Sequence, residues 1–109
     1  MLPTMAERVA TGAGLLDKVR PGWARQISIP AMDMGDVGFC VLGQIFGDYT
    51  TGRVTLGLSK KDTIAHGLLL TYAGMPGEEQ YSELAALWHQ QIKRRRGLRA
   101  FGHFILPAG

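Results

Sequence analysis

The feature that most constrains the fold of this chain is an apolar stripe near its C-terminus. Its members recur at i, i+3, i+4, i+7 and i+11, the spacing of one face of an α-helix. They are Tyr81, Leu84, Ala85, Trp88 and Ile92. Glutamates 78 and 79 suit the positive N-terminal end of such a helix, and the basic residues 93–96 suit its negative C-terminal end. We predict a helix that Gly97 closes and that buries this face against the rest of the chain.

A second helix is predicted over residues 37–46, with Asp36 as its N-cap and Gly47 as its left-handed stop. Apolar residues occur on most sides of this segment, which is typical of the buried centre of a bundle. We therefore expect it to pack against the helix over 81–92. Gln44 lies within the apolar pattern, and a buried amide there must hydrogen-bond a neighbouring backbone group. The two stripes are Val37, Cys40, Val41, Gln44 and Ile45, and Phe39, Leu42 and Phe46.

Local signals place three further helices. Thr4 and Glu7 form a capping-box pattern before a helix that ends at Pro21-Gly22. Gly12 and Gly14 lie inside that helix and indicate a close approach by another segment or a bend. Asp48 and Ser59 are predicted to cap two short helices, which the glycines at 57 and 67 end.

The fold class that follows is mainly all-α, a compact bundle of about four to five short helices. The alternation over residues 53–58 also fits a strand, and minor extended segments are allowed at 68–72 and 101–106. We predict one helical domain over residues 1–97, followed by an apolar and basic C-terminal tail at 98–109. The expected core residues are Leu16, Trp23, Cys40, Val41, Ile45, Leu84 and Trp88.

Composition limits the class of protein. The chain has 109 residues, 46% of them hydrophobic and 19% charged, which is globular and fits one domain. It has no apolar run long enough to span a bilayer, and its first residues do not resemble a secretory signal. The single cysteine excludes an internal disulfide, so we expect a cytoplasmic protein.

Five of the twelve basic residues lie within seven positions near the C-terminus, and they leave seven basic against nine acidic residues elsewhere. Three interpretations of this cluster stay open. In the first, the cluster is a solvated helix end that the helix dipole favours. In the second, it contacts nucleic-acid phosphates, with nearby aromatic rings available for stacking. In the third, it contacts a partner protein or anionic lipid. The residues concerned are Lys93, Arg94, Arg95, Arg96, Arg99, Phe101 and Phe104.

Candidates for catalysis are few. Cys40 with His66 or His89 could supply a nucleophile and a base. However, Cys40 falls on the predicted buried stripe, where a thiol acts as a small hydrophobic group with a raised pKa. No histidine or cysteine pair has the spacing of a metal site. We therefore expect a chain without catalytic residues, metal or cofactor.

Parts of the sequence resemble a known group of proteins. The matching stretches are residues 12–17, 21–23, 40–49, 56–58, 66–67 and 81–88, and the most specific is the Cys-Val-Leu-Gly-Gln block at 40–44. They are similar to small uncharacterised proteins of actinobacteriophages and actinobacterial prophages. The resemblance implies a phage origin and action in the host cytoplasm, and it implies no reaction. Leu68 departs from the pattern, which has an aromatic residue there, and the basic C-terminus lies outside it.

These observations together favour a non-enzymatic interaction protein that acts on a host or phage protein, or on a second copy of itself. The alternative is a nucleic-acid-binding accessory protein that uses the basic end of the last helix. The first hypothesis rests on the lack of a catalytic constellation and on the apolar C-terminal segment, which could dock on a partner or on a second copy.

Overall fold

The chain contains six helices in the part that the structure, a computed structural model, describes: residues 3–69 and 78–108, with side chains over 3–69 and 80–97. No strand occurs in these residues, so the mainly all-α prediction is confirmed, with six helices rather than four to five. The helices are α1 (Met5–Val19), α2 (Trp23–Gln26), α3 (Val41–Phe46), α4 (Tyr49–Thr55), α5 (Lys60–Ala65) and α6 (Glu78–Ala108).

The predicted helix starts at Thr4, Asp48 and Ser59 are all confirmed. The Thr4 hydroxyl accepts a hydrogen bond from the Glu7 amide at 3.1 Å, and the Glu7 carboxylate accepts one from the Thr4 amide at 2.9 Å. Ser59 and Asp62 form the same reciprocal pair. Asp48 accepts from the amide of residue 51 at 2.7 Å. This cap begins α4, which continues through residue 55, so the strand considered for 53–58 is wrong.

The glycine stops are also confirmed. Gly47, Gly57 and Gly67 have φ values of +103°, +72° and +66°, a region that favours glycine because a Cβ would clash with the backbone. The extended segment considered for 68–72 falls mostly outside the described residues. Of its described part, Leu68 is buried.

The predicted start of the second main helix is wrong. α3 begins at Val41, and its N-cap is Cys40 rather than Asp36. One Asp36 carboxylate oxygen accepts hydrogen bonds from the amides of Gly38, at 2.7 Å, and Phe39, at 3.2 Å. An aspartate that bonds backbone amides two and three residues on stabilises a turn in place of a helix. The helix therefore starts four residues later than its apolar pattern suggests.

The predicted end of the last helix is also wrong. α6 continues through Gly97 to Ala108, so the extended segment considered for 101–106 is helical. Gly97 does not adopt a positive φ, and a glycine within a helix costs only about 1 kcal/mol against alanine. Whether 98–109 is a separate tail stays a prediction. None of the described helices is both long enough and apolar enough to cross a bilayer.

The core lies where α6 crosses α1 and α2. α5 packs on α1, and α3 packs chiefly on α4, so the expected direct pairing of α3 with α6 is not the main contact of either helix. Trp23 of α2 and Trp88 of α6 meet edge to face, with ring centroids 5.8 Å apart. One of the predicted core residues, Ile45, is half-buried. The others, Leu16, Trp23, Cys40, Val41, Leu84 and Trp88, are buried.

Candidate interaction surface

Arg95 of the basic cluster points back onto the protein. Its Nε and Nη2 atoms donate to the two carboxylate oxygens of Asp17, each at 2.8 Å. Its guanidinium lies 5.5 Å from the centre of the Trp23 ring, and its Nη1 donates to the Gln91 side chain at 2.6 Å. A bidentate arginine–carboxylate pair of this kind fixes the relative orientation of the two side chains and also contributes interaction energy. Arg95 therefore joins α6 to α1 and α2.

Arg96 also has internal partners. Its Nε donates to the Ala24 carbonyl oxygen at 2.9 Å, and its Nη2 donates to the Ile27 carbonyl oxygen. These carbonyls lie towards the C-terminal end of α2, where the last carbonyl oxygens of a helix have no N–H donor within the helix. A cation there also complements the helix dipole. Arg96 thus fastens the short helix α2 to α6.

The basic cluster does not form one continuous binding surface in the described part of the chain. Lys93 and Arg94 are exposed, whereas Arg95 and Arg96 are half-buried and hydrogen-bonded internally. The side chains of Arg99, Phe101 and Phe104 lie outside the described ones. Within the described part of the basic cluster, Lys93 and Arg94 are therefore the two exposed cations that a nucleic-acid phosphate could contact, and two such contacts give low affinity.

Asp17 allows a test of the ion pair through pH. Arg95 and the Trp23 indole N–H, at 2.9 Å, both donate to this carboxylate, and the bonds from Arg95 are the main reason that its pKa falls below 3.8. Since folding lowers the pKa, the pair stabilises the protein above that value and loses this effect as the pH falls through the folded-state pKa. The Asp17 side chain is 47% exposed, so water weakens the interaction.

We expect Asp17→Asn to lower the free energy of unfolding by about 1 kcal/mol at pH 7. The difference from the wild type should shrink as the pH falls below about 4 and the wild-type carboxyl group becomes neutral. Urea unfolding at pH 7, 5, 4 and 3 measures it. A gap of the same size at pH 3 and pH 7 would show that the carboxylate charge is not what Arg95 stabilises.

Cys40 is buried and lies at the N-cap position of α3. Its Sγ accepts a hydrogen bond from the Gly43 amide at 3.3 Å, which caps the start of α3. Burial raises the pKa of the thiol, which keeps it protonated near neutral pH. His66 Nδ1 lies 2.7 Å from the Asp62 carbonyl oxygen, within its own helix end. Burial and nearby Lys93 lower the pKa of His89. The geometry does not favour a nucleophile at Cys40.

Gln44 connects two segments that are distant in sequence. Its Oε1 accepts from the Ser28 amide at 2.7 Å, and its Nε2 donates to the carbonyl oxygens of Ser28, at 3.2 Å, and Phe39, at 3.0 Å. The predicted backbone pairing of this amide is confirmed. Gln44 thereby holds the loop that precedes α3 against the segment that follows α2.

That loop, residues 33–39, carries exposed apolar side chains that the sequence pattern places in the core. Val37 is 65% exposed and Phe39 is 52% exposed. The loop backbone is nonetheless closely hydrogen-bonded. The Asp33 amide donates to the Phe39 carbonyl at 3.1 Å, and the Asp33 carboxylate accepts from the Gly35 amide at 2.9 Å. The repeated Asp-x-Gly spacing, at 33–35 and 36–38, is the sequence signal that identifies the turns.

The loop is also tied to α4, because the Val37 carbonyl accepts from the Tyr49 amide at 2.8 Å. Gly43 of α3 packs so closely beneath it that a Cβ there would lie 2.5 Å from the Val37 carbonyl oxygen. We call this exposed segment the 33–39 loop. It presents one aromatic and one branched apolar side chain on a braced backbone.

Comparisons with known proteins give no match: no family model, no curated protein and no solved structure is similar to this chain. Among the described residues, no group of three or more histidine, cysteine or acidic side chains is placed to hold a metal ion.

Proposed function

We propose that this protein acts by binding another protein through the 33–39 loop and catalyses no reaction. The single observation that carries the proposal is the exposure of Val37 and Phe39 on a backbone that hydrogen bonds hold in place. Following the resemblance at residues 40–44, we further propose that the chain is encoded by a phage or prophage and acts on a host or phage protein in the host cytoplasm.

The loop has the properties of a binding anchor. Aromatic side chains dominate the energy of many protein interfaces, because they bury a large area and lose little conformational freedom. A braced loop also loses less entropy on binding than a flexible one. Two exposed aspartates, Asp33 and Asp36, precede the apolar pair in the loop. The loop therefore fits a partner with an apolar pocket that has basic side chains beside it.

Four of the described carboxylates have structural partners, which is consistent with a binding role. Glu7, Asp48 and Asp62 cap helices. Their carboxylates accept hydrogen bonds from backbone amides, and these hydrogen bonds lower the pKa values of the three groups. Asp17 is paired with Arg95. Each of these carboxylates is ionised at neutral pH and serves to stabilise a helix end or a helix contact.

The test is a quantitative pull-down from a lysate of a mycobacterium or related host, with the wild type and Phe39→Ser as baits. We expect at least one protein to bind the wild type and to be reduced about tenfold or more with Phe39→Ser, since removing a buried aromatic anchor typically costs 2 kcal/mol or more, roughly a thirtyfold loss. Mass spectrometry with isotope labelling measures the ratio. Val37→Ser should reduce capture in the same direction.

Val54→Ser is the matched control, because Val54 is 62% exposed on α4 and outside the loop. Capture that Val54→Ser reduces as strongly as Phe39→Ser would overturn the loop as the binding surface. Capture that nuclease treatment abolishes would replace the proposal with the nucleic-acid alternative, through Lys93 and Arg94. Capture of an untagged copy of the chain, added to the lysate, would identify self-association through the loop.

A further inference from the structure

A small cleft lies between α2 and α6, on the side of the basic cluster. Its volume is about 150 Å³, and its charged lining consists of Arg25, Arg95, Arg96 and Asp17. Trp23 forms part of the same lining. Three guanidinium groups against one carboxylate give the cleft a local charge of about +2.

That charge is not evenly compensated. In the part of the chain that the structure describes, Arg95 and Asp17 form the only ion pair, so their charges offset each other. Arg96 donates only to the carbonyl oxygens of Ala24 and Ile27, which orient its guanidinium but carry no formal charge. Arg25 is exposed at the same cleft. Arg96 and Arg25 therefore supply the uncompensated positive charge.

The guanidinium of Arg96 is fixed and still has a donor to offer. Its Nη1 has no hydrogen-bond partner among the described residues. This nitrogen is also not buried, so a ligand can reach it. A guanidinium held by two carbonyls keeps its plane, so the free edge is oriented before any ligand arrives. A pre-oriented donor edge of this kind suits the oxygens of a phosphate or carboxylate group.

We infer that this cleft binds a single small oxyanion, a phosphate or carboxylate group, between Arg25 and Arg96. Its volume is below the roughly 300–1,000 Å³ of pockets that enclose whole organic ligands. It therefore encloses one anionic group rather than a whole organic ligand. The site is separate from the 33–39 loop and does not depend on its function.

Titration of the full-length protein with sodium phosphate, and separately with sodium acetate, tests the site at pH 7 and constant ionic strength. The indole N–H signal of Trp23 in a ¹H–¹⁵N spectrum is the probe, since Trp23 lines the cleft and its Nε1 donates to Asp17. We expect a saturable shift of this signal with at least one of the anions. The anion with the lower dissociation constant shows whether the cleft prefers a phosphate or a carboxylate group.

Arg25→Gln should weaken the binding about tenfold, because it removes one charge-assisted hydrogen bond. Lys93→Gln is the matched control, since it removes the same charge from an exposed position outside the cleft lining. We expect Lys93→Gln to bind as the wild type does. The inference is overturned if neither anion gives a saturable shift, or if both variants weaken binding equally.

Discussion

Trp88→Ala is expected to remove about 3–5 kcal/mol from the free energy of unfolding. Trp88 is fully buried, and its edge-to-face contact with Trp23 joins α6 to α2. Its indole N–H donates to the Gly67 carbonyl at 2.8 Å. Truncation therefore creates a cavity and leaves a buried carbonyl without its donor. Since small domains have only about 5–15 kcal/mol in total, urea unfolding should show a large shift of the midpoint.

Two controls separate the contributions of packing and hydrogen bonding. Trp88→Phe keeps much of the apolar volume but removes the N–H donor, so we expect a loss of about 1–3 kcal/mol. Val54→Ala changes an exposed side chain and should stay within about 0.5 kcal/mol of the wild type. If Trp88→Ala unfolds cooperatively at the same urea concentration as Val54→Ala, the contact of α6 with α2 does not stabilise the fold as described.

The parts of the fold that could be predicted are those fixed by neighbours in the sequence. The caps at Thr4, Asp48 and Ser59 depend on atoms three residues apart, and the glycine stops depend on one backbone angle. The apolar face of α6 is similarly local, and its Trp88 is buried as expected. For these features the chain's local preferences and its packing agree.

The boundary of α3 could not be predicted from its apolar pattern, because a turn competes with the helix. Asp36 can begin a helix or close an Asp-x-Gly turn, and nothing in the periodicity distinguishes the two. In the structure its carboxylate accepts from Gly38 and Phe39. The consequence reaches the candidate site, since Phe39 moves from a predicted core position to a half-exposed one.

The roles of the arginines depend on residues far away in the sequence. Arg95 pairs with Asp17 across 78 positions, and Arg96 bonds the Ala24 carbonyl across 72. Each is one of several neighbouring basic residues, so local sequence favours none of them for an internal role. The path of α6 across α1 and α2 selects these two and leaves Lys93 and Arg94 exposed.

Gly12→Ala should be strongly destabilising, with an expected loss of about 3 kcal/mol. A Cβ at Gly12 would lie 2.0 Å from the His66 carbonyl oxygen and 3.2 Å from the Trp88 ring. The obstacle at 2.0 Å is backbone at the end of α5, so the added methyl group can be accommodated only if α1 and α5 move apart. Of the two possibilities that the sequence left for Gly12, a close approach or a bend, the structure has the close approach, made by the backbone of His66. Thermal or urea unfolding measures the loss.

Gly14→Ala, two residues along the same helix, should have the opposite effect. No atom lies within 4 Å of a Cβ built at Gly14, and alanine is favoured over glycine within a helix by about 1 kcal/mol. The two variants carry the same chemical change in the same helix, so helix propensity is matched and only the space at the Cβ differs. We expect their free energies of unfolding to differ by about 4 kcal/mol. Variants of equal stability would show that α1 and α5 are not in contact at Gly12. The described packing of α6 on α1 would then also be wrong at this point, because the Trp88 ring lies against the same glycine.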